Sequence, residues 1–321
     1  MSVIEIKALS VDYKLGQKQL LHALKSVNLA IGAGEALAIV GESGCGKSTL
    51  ASSLVNLLAL NSISSGTVLI DNKNILEMTN KELESVRGVK AGTIFQDPAA
   101  SLNPVFSVKE QIEETIMAHL KIKDKLKLKE MAIKLLEETG IKEAQRVYES
   151  YPHQLSGGQQ QRVMIAIALS CSPKILIADE PTTALDVTVQ AQIIELLKRL
   201  KKERNLSLIL ITHDLHLALD LCKRVIVMYA GEIVEDTIMQ NKEASAHPYT
   251  RALFEIIPDI NENKREFAVI PGEVPDLKMV MNECYFKNRC HKVGEKCGKA
   301  HPEMVNGVRC FYPYTKERVK S

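Results

Sequence analysis

Residues 35–49, EALAIVGESGCGKST, constrain the fold of this chain more than any other stretch. ALAIV reads as a buried strand, a glycine-rich loop follows, and a helical pattern begins beyond it. Gly41, Gly44 and Gly46 permit a tight turn whose amides converge on phosphate oxygens. Lys47 then reaches the distal phosphates and Ser48 can ligate Mg²⁺, with Ser43, Cys45 and Thr49 completing the loop. Cys45 lies beside the loop's amides, a setting that favours a thiolate, although a small filler is the simpler reading.

A second glycine-rich stretch, LSGGQQQR at 155–162, lacks the lysine and the hydroxyl pair. Ser156 and Gln159 form a capping box, and Gly157 and Gly158 bare the amides at the start of the helix that follows. Such an end can hold an anion. On local chemistry alone, a well-capped helix accounts for it.

The rest of the chain reads as an α/β protein. Alternating apolar runs over 1–40 and TVLIDN at 67–72 suggest an antiparallel sheet leading into the ALAIV strand. Residues 108–150 are helical in pattern, and 187–204 and about 215–222 are further helices. The run KIKDKLKLKE at 121–130 reads as a solvated helical face. KILIADEP and LSLILIT are buried strands, and RVIVMYAGEIVE is a hairpin about Ala230-Gly231. Strand–helix alternation of this kind implies a mostly parallel sheet with helices on both faces.

With 41 basic and 39 acidic residues the net charge is +2, which makes no case for nucleic-acid binding. No run of about 18 apolar residues occurs and MSVIEIKALS has no signal-peptide core, so the expectation is a chain that neither spans a membrane nor is exported.

ILIADE at 175–180 ends a strand in two carboxylates. Asp179 is placed to support Mg²⁺, and Glu180 to polarise water against a terminal phosphate. His213, in LILITHD, and Gln96, at the end of GTIFQ, end strands of the same kind; Gln96 can orient water or touch the metal.

In this order the motifs resemble the nucleotide-binding subunit of an ATP-binding cassette (ABC) transporter: the phosphate loop, FQDP with Gln96, LSGGQQQR, ILIADE, TALD with Asp186, and ITHD with His213. The resemblance covers 1–250 and implies a phosphate-loop NTPase of the ABC type. Such a fold has a mostly parallel core sheet, an N-terminal antiparallel subdomain, and a helical subdomain over about 97–170. It places the nucleotide-binding domain at 1–255 and a cysteine-rich extension at 256–321. It also implies a head-to-tail dimer, with Ser156, Gly157 and Gly158 binding the terminal phosphate across the interface and Asp186 coupling the sites. Glu180 is then the catalytic base, His213 holds the attacked phosphate, and Tyr13 stacks on adenine. Gln96 and the helices after it resemble the surface that receives a membrane-spanning partner.

Cys284, Cys290, Cys297 and Cys310 fall within 27 residues, whereas the other three cysteines are scattered. Their spacing is neither a zinc knuckle nor a compact ferredoxin run, so tetrahedral zinc and a four-iron cluster remain equal readings, with unligated cysteines as a third. His291 and His301 can serve as substitute ligands, though solvated histidines are the default. Six Lys/Arg against two acidic residues over 284–310 suit either anionic thiolate centre.

HPYTRAL at 247–253, IPGEVPDL at 270–277 and the cysteine tail resemble the ATPases of dipeptide and oligopeptide importers, which shifts the expectation toward a [4Fe–4S] cluster with a structural role. That resemblance implies a second ATPase subunit, two permease subunits and an extracytoplasmic solute-binding protein as partners, at the cytoplasmic face of the membrane. The same engine serving nickel or another solute, or a soluble ABC ATPase acting on ribosomes or nucleic acid, are the alternatives. Lys223 and Asp236-Thr237 depart from the family's usual residues and bear on substrate rather than on ATP.

Overall fold

Apolar alternation, glycine turns and side-chain caps set the boundaries of the elements. The computed structural model describes residues 2–16, 19–183, 185–239, 241–256 and 270–315. The chain opens with β1 (Ser2–Leu15), β2 (Gln19–Gly32), β3 (Ala36–Val40), α1 (Lys47–Ser53), β4 (Ser62–Ile70) and β5 (Lys73–Asn74). It continues through α2 (Asn80–Leu83), β6 (Ala91–Ile94), α3 (Pro98–Ser101), α4 (Val108–Leu120), α5 (Lys125–Glu138), α6 (Ala144–Glu149) and α7 (Gly157–Leu169). Then come β7 (Ile175–Asp179), α8 (Val187–Arg204), β8 (Ser207–Thr212), α9 (Leu215–Leu221), β9 (Arg224–Tyr229), β10 (Glu232–Ile238) and α10 (Pro248–Ile256).

Two compact units emerge. One contains 32–35 and 77–209, the other 2–31, 36–76 and the chain from 210 onward, and the chain passes from one to the other within β8.

The unit that carries the phosphate loop holds a four-stranded sheet in the order β2-β1-β4-β5. β1 and β4 run antiparallel from Ile4↔Ile70 to Tyr13↔Ser62, as the alternation predicts. The register slips between Lys7 and Ser10, where Ala8 takes φ 47°. Gly66 lies against this bulge, and a Cβ there would stand 2.4 Å from the Ala8 carbonyl oxygen.

The same unit holds β10-β9-β3-β8. β3 and β9 pair in parallel, Leu37↔Arg224 to Val40↔Val227, and β9 turns back antiparallel into β10. The hairpin turns where expected, with φ 50° at Ala230 and 84° at Gly231. Asp236, one of the residues departing from the family pattern, accepts from Nε and one terminal nitrogen of Arg224, each at 2.8 Å. Nothing in the structure explains Lys223.

The other unit holds β8-β7-β6, with β6 and β7 parallel from Ala91↔Ile175 to Ile94↔Ala178. Gly92 lets α7 approach the sheet, since a Cβ there would stand 2.2 Å from the Ala168 carbonyl oxygen.

The helical stretch expected over 108–150 is three helices. Lys121 (φ 57°) ends α4, and Gly140 (φ 82°) allows the turn after α5. The first half of the basic run is therefore a connection, and Asp124 caps α5 through the amides of Leu126 and Lys127. Val108, Ile112 and Ile116 form the buried stripe of α4, and Leu128, Ala132, Leu135 and Leu136 that of α5. α8 spans the expected residues, capped by Asp186 and ended by Asn205 at φ 50°. Lys201, Lys202 and Arg204 lie in its last turn, where cations are favoured.

Candidate active site

The phosphate loop is held from beneath by close backbone approach. A Cβ on Gly41 would meet the Met228 carbonyl oxygen at 2.3 Å, and one on Gly46 the Ala23 carbonyl oxygen at 2.5 Å, so neither position accepts a side chain. Gly44 is the opposite case. At φ 77° it has no heavy atom within 4 Å of where a Cβ would stand, which leaves that face of the loop open.

Lys47 is only 5% exposed, yet its ammonium is satisfied by the carbonyl oxygens of Gly41 (2.8 Å) and Glu42 (2.9 Å). Those bonds hold a buried cation at the loop, where phosphate oxygens are its natural counterion. The Tyr13 hydroxyl donates to Thr49 Oγ1 at 3.2 Å, tying the end of β1 to α1. His213 is an exposed residue just beyond β8 in this same unit, and Asp214 after it caps α9 through the Leu217 amide.

The second unit gathers the other expected residues. β7 ends at Asp179, and Glu180 follows in the left-handed region at φ 46°, which only a locally over-determined non-glycine residue sustains. Glu180 Oε2 accepts from Gln96 Nε2 at 3.1 Å and from Thr183 Oγ1 at 2.8 Å, so two groups fix the carboxylate. Asp179 is half-buried.

Ser156 caps α7 as expected: its Oγ accepts from the Gln159 amide at 3.3 Å, and the Gln159 side chain accepts from the Ser156 amide at 3.1 Å. A Cβ on Gly157 would lie 3.7 Å from Leu185, and one on Gly158 only 2.9 Å from Val189. The Val189 amide in turn donates to Asp186 at 2.9 Å. The LSGG turn and the Asp186-capped end of α8 are thus packed together. Ala184 of TALD lies outside the described residues.

Of the two readings of Cys45, the structure bears out the small filler and not the thiolate. Cys45 is 1% exposed and its Sγ lies 2.8 Å from where a Gly41 Cβ would stand, so it fills the floor of the loop. Burial pushes its thiol pKa up, more than Lys47 lowers it.

In the tail, the Cys284 amide donates to the Cys297 carbonyl at 3.0 Å, and the Tyr312 amide to Cys310 Sγ at 3.3 Å. Burial pushes the Cys284 thiol up to about 12 and raises Cys290 and Cys310; Cys284 also feels the other three thiols electrostatically. Among the described residues no three His, Cys, Asp or Glu stand where they could hold a metal ion. His301 is engaged by Glu232 at 3.1 Å and by the Glu283 carbonyl at 3.0 Å, and His291 by Tyr314.

Two residues that motif reading did not place at the loop lie directly on it. The Glu42 amide donates to the Tyr249 hydroxyl at 2.9 Å, and the Glu42 carboxylate takes a two-pronged ion pair from Arg289 at 2.7 and 2.8 Å. Tyr249 belongs to the HPY stretch, which signals it by resemblance only; nothing local signals Arg289. His247, in the same stretch, is fully buried and held neutral, its pKa lowered to about 3 by burial, with Nδ1 accepting from the Tyr249 amide at 3.0 Å.

Comparison with known proteins agrees with this geometry. Residues 24–183 match the family model described as ABC transporter, and 236–297 match the oligopeptide/dipeptide transporter C-terminal region. The oligopeptide transport ATP-binding protein AppD of Bacillus subtilis is 40% identical over 318 residues, 97% of this chain and 96% of its own. OppD of Salmonella typhimurium is 44% identical over 300 residues, 91% and 88% respectively. The dimeric structure of a post-hydrolysis state of the ATP-binding cassette MJ0796 bound to ADP and phosphate has a TM-score of 0.66 and 34% identity, covering 74% of this chain and 99% of that one.

Proposed function

The chain belongs to the ABC transporter family of ATPases, and on that premise we propose that it hydrolyses ATP to power the import of dipeptides or oligopeptides through a membrane. The observation that carries the cargo class is the match of 236–297 to the oligopeptide/dipeptide C-terminal region, together with relatives named for oligopeptide transport that align over nearly the whole chain.

The residues support these roles. The loop amides and Lys47 bind the phosphates, and Tyr13 stacks on adenine. Ser48 in one unit, and Gln96 and Asp179 in the other, each offer an oxygen of the kind that Mg²⁺, a hard cation, takes. When bound, Mg²⁺ offsets phosphate charge. Glu180, fixed by Gln96 and Thr183, orients and deprotonates the attacking water, and His213 contacts the terminal phosphate. Ser156, Gly157 and Gly158 cover the phosphate of a second ATPase subunit. Asp186, packed against that turn through Val189, ties the two sites together.

The partners in this reading are that second ATPase subunit, two permease subunits and, indirectly, a solute-binding protein. No helix among the described residues is long and apolar enough to cross a membrane. Peripheral attachment at the cytoplasmic face is part of this reading and rests on the relatives named for transport. The resemblance to dipeptide and oligopeptide importer ATPases, and not the geometry of the thiols, is what suggests a [4Fe–4S] cluster at Cys284, Cys290, Cys297 and Cys310, with zinc as the alternative. The four do not stand as a metal-holding group in this structure. Iron and acid-labile sulfide in stoichiometric amount support the cluster, and zinc alone contradicts it.

Purification from solubilised membranes tests the main reading. Recovery in complex with two polytopic proteins that transport peptides supports it, and cosedimentation with ribosomes instead overturns it.

A further inference from the structure

Arg289 sits in a short 3₁₀ turn, Lys287–Arg289, within the C-terminal extension, 247 positions from Glu42 in the chain. It is nearly buried, its side chain 5% exposed. All five of its N–H donors are used. Nε donates to the Pro271 carbonyl (3.1 Å), one terminal nitrogen to Glu42 Oε2 (2.7 Å) and the Tyr229 hydroxyl (3.3 Å), and the other to Glu42 Oε1 (2.8 Å) and the Ile270 carbonyl (3.2 Å). Two of those acceptors are main-chain atoms of the extension, so the guanidinium is mounted on the tail and presents its fork to the phosphate loop.

Glu42 is fixed at every polar atom. Its amide is held by Tyr249 of α10, its carboxylate by Arg289, and its carbonyl receives the Lys47 ammonium. Tyr229, Tyr249 and Phe286 pack around this node, Phe286 edge-on to both tyrosines and the tyrosines tilted to each other, with ring centroids 4.7 to 5.3 Å apart. Two of the three restraints on the loop residue that carries the Lys47 contact therefore come from chain beyond residue 245.

Glu42 also poses an electrostatic problem for the loop. It places a carboxylate beside a turn that has to receive a polyanion, and like charges at close range in a partly dehydrated site repel strongly. A bidentate guanidinium both cancels that charge and fixes where it sits.

We propose that Arg289 is a positioning residue for nucleotide binding: by neutralising and immobilising Glu42, it makes the affinity of the phosphate loop for ATP depend on docking of the C-terminal extension. This rests on the reading of the loop as the ATP site, and it extends that reading by giving the extension a role at the site. Side chains of the extension do not enter the chemistry. They set the loop that holds Lys47.

The test is titration of the full-length protein with a fluorescent ATP analogue, with a thermal melt alongside. Arg289→Met, which keeps bulk and removes charge, is expected to weaken ATP binding by about tenfold or more, the equivalent of ~1.4 kcal/mol. The rate at saturating ATP should stay within about threefold, because Gln96 and Glu180 are untouched. The Glu42→Gln/Arg289→Met double variant removes the stranded carboxylate. It should bind ATP no worse than Arg289→Met alone. Wild-type affinity in Arg289→Met, or losses that multiply in the double variant, overturns the proposal and leaves the ion pair as a staple for the tail. Should Arg289→Met fail to fold, Arg289→Lys, which keeps the cation but not the fork, carries the comparison with an intermediate loss expected and an unchanged affinity contradicting it. Failure of the wild-type protein to bind the analogue at all would instead overturn the ATP-site reading itself.

Discussion

Gln96 and Glu180, 84 positions apart, meet in one hydrogen bond of 3.1 Å between amide and carboxylate. A second bond from Thr183 and the left-handed backbone at Glu180 leave that carboxylate little freedom. Gln96→Ala should therefore lower the hydrolysis rate only about tenfold, since Thr183 still holds the base. A general base contributes about 10²–10⁴-fold, so Glu180→Gln should cost far more. Rates at saturating ATP and binding constants for both variants check the order. Equal losses in the two would contradict Glu180 as the base that Gln96 orients.

Ser156 caps α7, and its proposed role across the subunit interface is separable from that cap. Losing its cap on α7 through Ser156→Ala should destabilise the protein by about 1 kcal/mol without abolishing nucleotide binding. Ser156→Arg places a long cation where a second subunit's phosphate is expected. It should block ATP-induced association while a single subunit still binds ATP. Light scattering with and without ATP reads the difference, and normal association of Ser156→Arg would contradict the cross-subunit role of the LSGG turn.

Cys45 should be inert in the folded protein. Buried and raised in pKa, it should resist a thiol reagent at pH 8, with its peptide labelled only as fast as the protein unfolds. Cys45→Ala should cost about 1 kcal/mol of stability through lost packing. Mass spectrometry of the labelled peptide decides, and rapid modification of the native protein would contradict the filler role.

His247 gives the fold an acid-sensitive element. Its folded pKa, about 3, lies below the ordinary histidine value of 6.5 because burial disfavours the imidazolium. The unfolded chain thus binds the extra proton first. The stability associated with neutral His247 is fully present above pH 6.5 and is lost as pH falls from there toward 3. His247→Asn keeps an acceptor for the Tyr249 amide but does not titrate, so its stability should decline less over that range. Denaturant titrations at pH 7.5 and pH 5 test this, and identical pH slopes in both proteins would contradict it.

Features encoded over short stretches were legible in the sequence. The strand–loop–helix around Lys47, the capping box of Ser156 and Gln159, the helix over 187–204, and the turn at Ala230-Gly231 all rest on neighbours within a few residues, where backbone geometry and side-chain reach suffice. The break after Leu120 was hidden because lysine in the left-handed region leaves no composition signal. The filler role of Cys45 is the simpler reading of the sequence and the structure bears it out, but the Gly41 backbone and the burial that oppose a thiolate are not visible in the sequence. Arg289 was illegible altogether, since its partners lie at 42, 229, 270 and 271 and only tertiary packing brings them within reach.

The central claim is that this chain is an ATPase whose phosphate loop and LSGG turn serve two nucleotides shared between subunits. Sedimentation of Glu180→Gln with saturating ATP and Mg²⁺ tests it most directly. The account predicts that the variant binds ATP, scarcely hydrolyses it and accumulates as a nucleotide-bound dimer, whether with itself or with a homologous subunit supplied in the mixture. A variant that binds ATP yet remains monomeric in both mixtures would contradict it.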